Sequence, residues 1–180
     1  MMTASIDTVV TFLEMKARPG QHVPAPSNLK ILLLRAEQPP VHFYRYLYDN
    51  VGRGLYWIDR KMMSDEQLAA AIHAEGVSLH VLYVSGVPAG YFELARRADE
   101  DTVDIAYFGL IADFHGRGLG KWLLHEAINA AWDMGPARIA VETCTLDAPH
   151  ALALYQRLGF VPFARKEKTM ALPKNFQPHM

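Results

Sequence analysis

Three glycines at alternate positions, Gly116, Gly118 and Gly120, lead directly into a segment with the apolar spacing of a helix. The run before them (102–112) and the run after the helix (137–146) have the β-branched and apolar composition of strands. A strand–helix–strand connection within one sheet is right-handed and makes its two strands parallel. This unit therefore requires a sheet that carries at least one packed helix.

The rest of the chain adds more strands and helices around this unit. Alternating and β-branched runs predict strands, and capped segments with helical spacing predict helices. The strands are predicted over 6–19, 29–37, 77–84, 88–97, 102–112, 137–146 and 160–172, and the helices over 41–52, 65–76, 121–135 and 149–159. We find no repeat or linker, so we expect a single domain over residues 1–180 with a mixed α/β fold.

Composition excludes several classes of protein. The formal net charge is −1, so the chain lacks the broad basic surface that nucleic acid selects. No apolar run approaches the ~20 residues of a membrane span, and the N-terminus lacks the basic and apolar regions of a secretory signal. We therefore expect a cytoplasmic protein that binds neither nucleic acid nor a membrane.

Metal and disulfide chemistry also find no support in the sequence. The single cysteine, Cys144, has no partner for an intramolecular disulfide. The eight histidines form no H-x-x-x-H or H-E-x-x-H pair, so no metal site is predicted.

The glycines predict an anion site at the start of the helix. A helix N-terminus carries unpaired N–H groups and a partial positive charge, and glycines beside it let a phosphate approach the backbone. A tight turn alone needs only one glycine. The dinucleotide pattern G-x-G-x-x-G fails because Leu123 stands at its third glycine, and the P-loop pattern fails because Trp122 follows Lys121.

The stretch "HGRGLG" instead fits the pattern R/Q-x-x-G-x-G/A, with His115 in the first position. It resembles the acetyl-CoA pyrophosphate loop of the GNAT superfamily of N-acetyltransferases. Two further stretches agree with this resemblance: "VDIAYFGLIADFHGRGLG" is similar to the fourth strand of that family running into its loop, and "ALALYQRLGFVPF" to its A-x-x-L-Y-x-x-x-G-F signature. The resemblance covers residues 77–171 well and the first third of the chain in outline.

The resemblance implies a splayed mixed sheet of six to seven strands flanked by about four helices, with acetyl-CoA between its fourth and fifth strands. Backbone groups of Leu110, Ile111 and Ala112 would pair with the pantetheine. The pyrophosphate would lie on the loop formed by His115, Gly116, Arg117, Gly118, Leu119, Gly120 and Lys121.

The resemblance also implies catalytic roles. Tyr155 matches the tyrosine that faces the CoA sulfur and acts as the general acid, although it could instead be a core aromatic residue of its helix. Asp104 lies where some members place a glutamate base, Glu142 on the next strand is a second candidate base, and a chain of waters is a third. The backbone N–H of Leu110 is the expected oxyanion donor.

Two positions depart from the family pattern. Ala148 stands where the family often has an asparagine that contacts CoA, and Asp147 or His150 is expected to compensate. His115 replaces Arg or Gln, which predicts that cofactor binding depends on pH.

The acceptor side of the family corresponds to the aromatic-rich region 42–66. Tyr44, Tyr48 and Trp57 are candidates to line a pocket for an apolar or cationic amine, or simply to belong to the core. Any of Arg45, Arg53 and Arg60 could bind an acceptor carboxylate.

The sequence as a whole predicts an enzyme that transfers an acetyl group from acetyl-CoA to a primary amine by direct attack. A small-molecule amine is the leading acceptor, with a protein or peptide amine as the alternative. A non-catalytic CoA-binding regulatory module remains a further alternative, whereas a nucleotide-phosphate binder is disfavoured by the two failed patterns. The oligomeric state stays open, a homodimer included.

Overall fold

The computed structural model of the chain describes residues 2–98, 100–174 and 176–178. Seven strands form one sheet in the order β2-β3-β4-β5-β6-β1-β7. The strands are β1 (Met2–Met15), β2 (Ile31–Ala36), β3 (Val77–Val84), β4 (Val87–Arg97), β5 (Thr102–Leu110), β6 (Arg138–Cys144) and β7 (Val161–Pro173). The helices are α1 (Val41–Val51), α2 (Asp65–Ile72), α3 (Leu119–Asp133) and α4 (Ala151–Arg157), and a 3-10 turn covers Ala112–Phe114.

The predicted parallel pair is formed by β5 and β6, whereas the other neighbouring strands are antiparallel. The pairing of β5 with β6 runs only from Thr102–Arg138 to Asp104–Ala140. Both strands continue further, β5 to Leu110 and β6 to Cys144, without pairing to each other. The predictions of a mixed α/β fold, a crossover through α3 and a splayed sheet are therefore confirmed.

Two apolar cores lie on opposite faces of the sheet. Helices α3 and α4 pack on one face, with Leu123, Leu124 and Phe160 among the buried side chains. Helices α1 and α2 pack on the other face through Leu47 and Leu68. The side chains of a strand alternate between faces, so cores on both faces of the sheet explain why residues 89–94 of β4 are all buried.

Several boundaries differ from the predicted ones. Strand β1 begins at Met2 instead of residue 6, and α2 ends at Ile72 instead of residue 76. The first strand ends at Met15 instead of continuing to Pro19. Helix α3 begins at Leu119, with Gly118 as its N-cap. Gly120 therefore lies in the first turn of the helix instead of in the loop before it.

Gly109 lets β5 approach α1 closely. A Cβ atom added at this position would lie 2.5 Å from Cγ1 of Val51. We therefore expect Gly109→Ala to lower the free energy of unfolding by about 1–3 kcal/mol, the usual cost of overpacking. Urea unfolding would measure this change, and Val51→Ala in the same chain should recover part of it. A double variant whose loss equals the sum of the two single losses would show that the two positions do not clash.

Candidate active site

A cleft of about 520 Å³ opens where β5 and β6 separate. The end of β5 forms one wall, and the end of β6 with α4 forms the other. The loop into α3 closes one end, and the chain between α1 and α2 covers the opposite side. Residues of β1 and β7 extend the surface of the cleft, namely Thr8, Val10, Lys168 and Met170.

The glycine loop at one end of the cleft has a backbone that favours glycine. Gly116 and Gly118 have φ values of 73° and 76°, in the left-handed region that other residues rarely adopt. A Cβ atom added at either position would meet nothing within 4 Å. Backbone conformation, and not crowding by protein atoms, therefore requires glycine, and the space beside these amides is open.

The N-terminus of α3 lies at this loop and can bind an anion. No side chain in the described part of the structure caps the helix at Gly118, so its first N–H groups and its partial positive charge remain available. The first three residues of α3, Leu119, Gly120 and Lys121, line the cleft. The side chain of Leu119 belongs to the core, so this residue can offer only its backbone to a ligand.

Arg117 differs from the prediction that it helps to hold the pyrophosphate. Its guanidinium donates a hydrogen bond to the carbonyl of Asp113 at 3.0 Å and lies 5.3 Å from the ring centre of Phe114. Arg117 is not among the described residues that line the cleft. Lys121, in the first turn of α3, lines the cleft and carries a positive charge there.

The end of β5 offers backbone donors to the cleft. The N–H of Ile111 donates to the carbonyl of Ala89 at 2.8 Å, and the carbonyl of Ile111 accepts from Phe114 at 2.9 Å. In an antiparallel ladder, the N–H groups of successive residues point to opposite edges of the strand. The N–H of Leu110 therefore points away from β4, toward β6. The prediction that Ile111 pairs with the pantetheine is therefore corrected, whereas Leu110 and Ala112 line the cleft.

His115 supports this edge. Its Nε2 lies 3.1 Å from the carbonyl oxygen of Leu110 and donates to it in the tautomer that carries the proton on Nε2. The imidazole thus connects the glycine loop to the end of β5, and His115 also lines the cleft.

Tyr155 of α4 presents a protonated phenol to the cleft. The side chain is 7% exposed and packs edge-on against Phe108 and Phe160, at ring-centre distances of 6.3 and 6.0 Å. Burial raises the pKa of the Tyr155 phenol, and the negative charge of Asp147 raises it further. The phenol therefore keeps its proton at neutral pH and can donate it to a strong base in the cleft.

The two candidate bases lie in different environments. Asp104 accepts two hydrogen bonds from Arg97, at 2.6 and 2.7 Å, and is not among the described cleft residues. Glu142 on β6 is exposed and lines the cleft. Its carboxylate forms no ion pair with the described residues. This placement disfavours Asp104 as the base, and Glu142 and a chain of waters stay as candidates.

The turn before α4 holds the position of the missing asparagine. Ala148 lines the cleft together with Asp147 and His150. The carboxylate of Asp147 accepts hydrogen bonds from the Thr143 hydroxyl at 2.7 Å and the Cys144 N–H at 2.9 Å. Asp147 therefore stabilises this turn in addition to facing the cleft.

Some of the candidate acceptor residues line the cleft, and others are buried inside the protein. Tyr48 and Trp57 line the cleft, whereas Tyr44 is fully buried and donates to the Glu93 carboxylate at 2.5 Å. The prediction that Tyr44 lines the acceptor pocket is therefore corrected. Of the three candidate arginines only Arg53 lines the cleft, because the other two form ion pairs within the protein.

Several cleft residues were missed by the sequence reasoning. They include Tyr107 and Phe108 of β5, Asp59 after α1, and Lys168 and Met170 of β7. Alternation along β5 would have indicated that Tyr107 and Phe108 face opposite sides of the sheet. No local signal places β7 beside the cleft, because that depends on the sheet order.

The described residues contain neither a helix that could cross a membrane nor a metal-binding cluster. No helix among them has both the length and the apolar character needed to span a bilayer. No group of three or more His, Cys, Asp or Glu side chains among them is arranged to hold a metal ion.

The fold and sequence were compared with known proteins. The model of the acetyltransferase (GNAT) family matches residues 32–160, which is more than half of the chain. A GCN5-related N-acetyltransferase from Sphaerobacter thermophilus superposes with a TM-score of 0.69 at 15% identity, over 96% of this chain and 55% of that one. An acetyltransferase from Bacillus subtilis in complex with CoA superposes with a TM-score of 0.53 at 22% identity, over 72% of this chain and 76% of that one.

A third similar structure is a tandem GNAT protein from the clavulanic acid biosynthesis pathway, with a TM-score of 0.63 at 16% identity, over 97% of this chain and 56% of that one. The chain spans only 53–61% of the length of the first structures that it matches. A search of the curated proteins found no significant match.

Proposed function

Because this chain belongs to the GNAT acetyltransferase family, we propose that it transfers an acetyl group from acetyl-CoA to the primary amine of a small molecule. One observation carries the proposal: an uncapped helix N-terminus with two left-handed glycines lies at the end of a cleft between separating parallel strands. This arrangement suits a ligand that combines a diphosphate with an extended amide chain.

The residues present fit acetyl-CoA at both of its polar parts. The backbone amides of Gly116, Gly118 and Gly120, with the Lys121 ammonium, would hold the diphosphate. The N–H of Leu110 would donate to the pantetheine arm or to the thioester carbonyl oxygen. When bound, acetyl-CoA supplies the acetyl group as a thioester that an amine can attack.

Tyr155 and Glu142 would move the two protons of the reaction. The amine nitrogen forms a bond to the carbonyl carbon, and the bond from that carbon to sulfur breaks. Glu142, directly or through water, would accept the proton that the amine loses, and the Tyr155 phenol would donate a proton to the leaving thiolate. The phenol is protonated at neutral pH and so has a proton to give when the thiolate forms, although its raised pKa makes it a weaker acid than a free phenol.

The acceptor would lie against aromatic side chains. Tyr48, Trp57 and Tyr107 line the cleft on the side of α1, and we call these three residues the aromatic wall. Such a surface favours an amine with an apolar body. Arg53 and Lys168 lie at the same cleft and would favour an acceptor that also carries a negative charge.

Calorimetric titration with acetyl-CoA at pH 7.5, with NAD and ATP as controls, tests the proposal. We expect micromolar affinity for acetyl-CoA and binding of NAD and ATP that is weaker by about tenfold or more. A panel of small amines, scored by release of free thiol, would follow. Binding without turnover of any amine would favour a CoA-binding regulatory module, and no binding by the folded protein would refute both functions.

A further inference from the structure

A buried ion pair lies behind the aromatic wall. The Arg60 guanidinium donates to the Glu93 carboxylate at 2.8 Å, and the two side chains are only 12% and 1% exposed. Tyr44 donates to the other oxygen of the same carboxylate at 2.5 Å. Neither charged residue is among the described residues that line the cleft, so the proposed chemistry does not use this pair directly.

A gain in the free energy of unfolding does not by itself explain why a buried ion pair is present. Removing two charges from water costs about as much free energy as their attraction returns, so packed apolar residues often serve equally well. A role that depends on the geometry of the Arg60–Glu93 pair is therefore the better explanation for its presence. Loss of one partner, by contrast, leaves the other charge buried without compensation, which strongly lowers the free energy of unfolding. Because separation of the two side chains is this unfavourable, each residue holds the other in position.

Arg60 belongs to the chain between α1 and α2 that covers the cleft. We call residues 53–63 the covering segment; outside its turns it contains no helix or strand. Five of its residues line the cleft, namely Arg53, Leu55, Tyr56, Trp57 and Asp59. Glu93 lies in the middle of β4, inside the sheet. The ion pair therefore joins the covering segment to a rigid strand.

Arg60 also contacts the aromatic wall directly. Its guanidinium carbon lies 5.3 Å from the ring centre of Tyr107, and its backbone N–H donates to the Tyr48 hydroxyl at 3.3 Å. Within the wall, the Tyr107 ring centre lies 5.3 Å from those of both Tyr48 and Trp57. One residue thus connects β4, α1, β5 and the covering segment.

We propose that the Arg60–Glu93 pair is a positioning element that holds the covering segment and the aromatic wall against the sheet, and so sets the affinity for the acceptor. The second part of this inference rests on the proposed function, whereas the first part does not. Arg45 holds the end of the segment through the carbonyls of Arg60 and Met63. The bond from Arg60 to Glu93 joins the segment to the centre of the sheet.

Hydrogen exchange in an Arg60→Met variant tests the first part. Methionine keeps an unbranched apolar side chain but cannot pair with Glu93. We expect amides of residues 53–63 to exchange about tenfold faster or more, because the segment opens locally without global unfolding. Arg138→Met is the matched control, because Arg138 also pairs with carboxylates, those of Glu14 and Glu100, and lies outside the cleft lining.

Kinetics test the second part. With the best amine of the panel, we expect Arg60→Met to raise the KM for the amine by about tenfold, with a smaller change in kcat and an acetyl-CoA Kd within about twofold of wild type. Arg60→Lys should recover part of the KM, because lysine keeps the charge but loses the planar fork. A merely structural loss would lower the acetyl-CoA affinity and the amine affinity together.

Separate outcomes overturn the separate parts. Unchanged exchange in a folded Arg60→Met protein would refute the positioning role. Faster exchange with an unchanged amine KM would refute its link to the acceptor. If Arg60→Met does not fold, Glu93→Gln, which keeps the shape of the side chain, is compared by the same two measurements. Failure of wild type to bind acetyl-CoA would refute the proposed function, and the exchange result would still decide the positioning role.

Discussion

Replacement of Tyr155 by phenylalanine is expected to lower kcat by about 100-fold or more, the usual contribution of a positioned general acid. The variant loses only the phenolic oxygen and its proton, while the ring keeps its contacts with Phe108 and Phe160. The acetyl-CoA Kd should therefore stay close to that of wild type. Steady-state kinetics with the best amine and calorimetry with acetyl-CoA would measure the two effects.

A second tyrosine provides the control for this prediction. Tyr46 lies on α1, is exposed, and is not among the described residues of the cleft. Tyr46→Phe removes the same atom from the chain, and we expect it to leave kcat unchanged. The role of Tyr155 as the acid would be wrong if Tyr155→Phe kept kcat within about threefold of wild type, because a lost acid costs much more.

Replacement of Gly118 by valine is expected to weaken acetyl-CoA binding by about 100-fold, which corresponds to two lost charge-assisted hydrogen bonds of about 1.5 kcal/mol each. Gly118 has a φ of 76° and is the N-cap of α3, where a β-branched residue is strained. Relief of that strain would turn the backbone amides away from the diphosphate. Calorimetry with acetyl-CoA measures the loss directly.

Gly86 supplies a matched control for this variant. It has a φ of +83°, an added Cβ atom would meet nothing within 4 Å, and it lies in the turn between β3 and β4. Both Gly118→Val and Gly86→Val should lower the free energy of unfolding by about 1–2 kcal/mol. Only Gly118→Val should lose affinity for acetyl-CoA. Equal acetyl-CoA affinities in the two variants would contradict an anion site at the start of α3.

Much of the fold could be predicted because its signals are local. Alternation and β-branched residues indicated the seven strands, and apolar spacing with caps indicated the four helices. Ser64 and Gln67 form a capping box at the start of α2, a pattern that is visible in the sequence as S-x-x-Q. A crossover through α3 between β5 and β6 then implied a parallel pair, which the structure contains. Each of these inferences depends on neighbours within a few residues or on a general rule of chain geometry.

The site was only partly predictable, as the carboxylates and tyrosines illustrate. Asp104 and Glu142 lie on β5 and β6, the two strands that separate to form the cleft. Arg97 binds the carboxylate of Asp104, and of these two acidic residues only Glu142 lines the cleft. Tyr44 and Tyr48 lie one turn apart on α1, yet Tyr44 donates to Glu93 while Tyr48 lines the cleft. These differences depend on partners from other elements.

The amino-acid sequence by itself determined the order of strands and helices, the parallel crossover, and the glycine loop at the start of α3. The reason is that backbone preferences, side-chain periodicity and the need for left-handed residues act over short distances along the chain. Only the tertiary structure decided which side chains line the cleft, that the amide of Ile111 is already bonded, and that Arg60 meets Glu93. Those outcomes arise from contacts between residues distant in sequence, and packing of the whole sheet with its helices determines them.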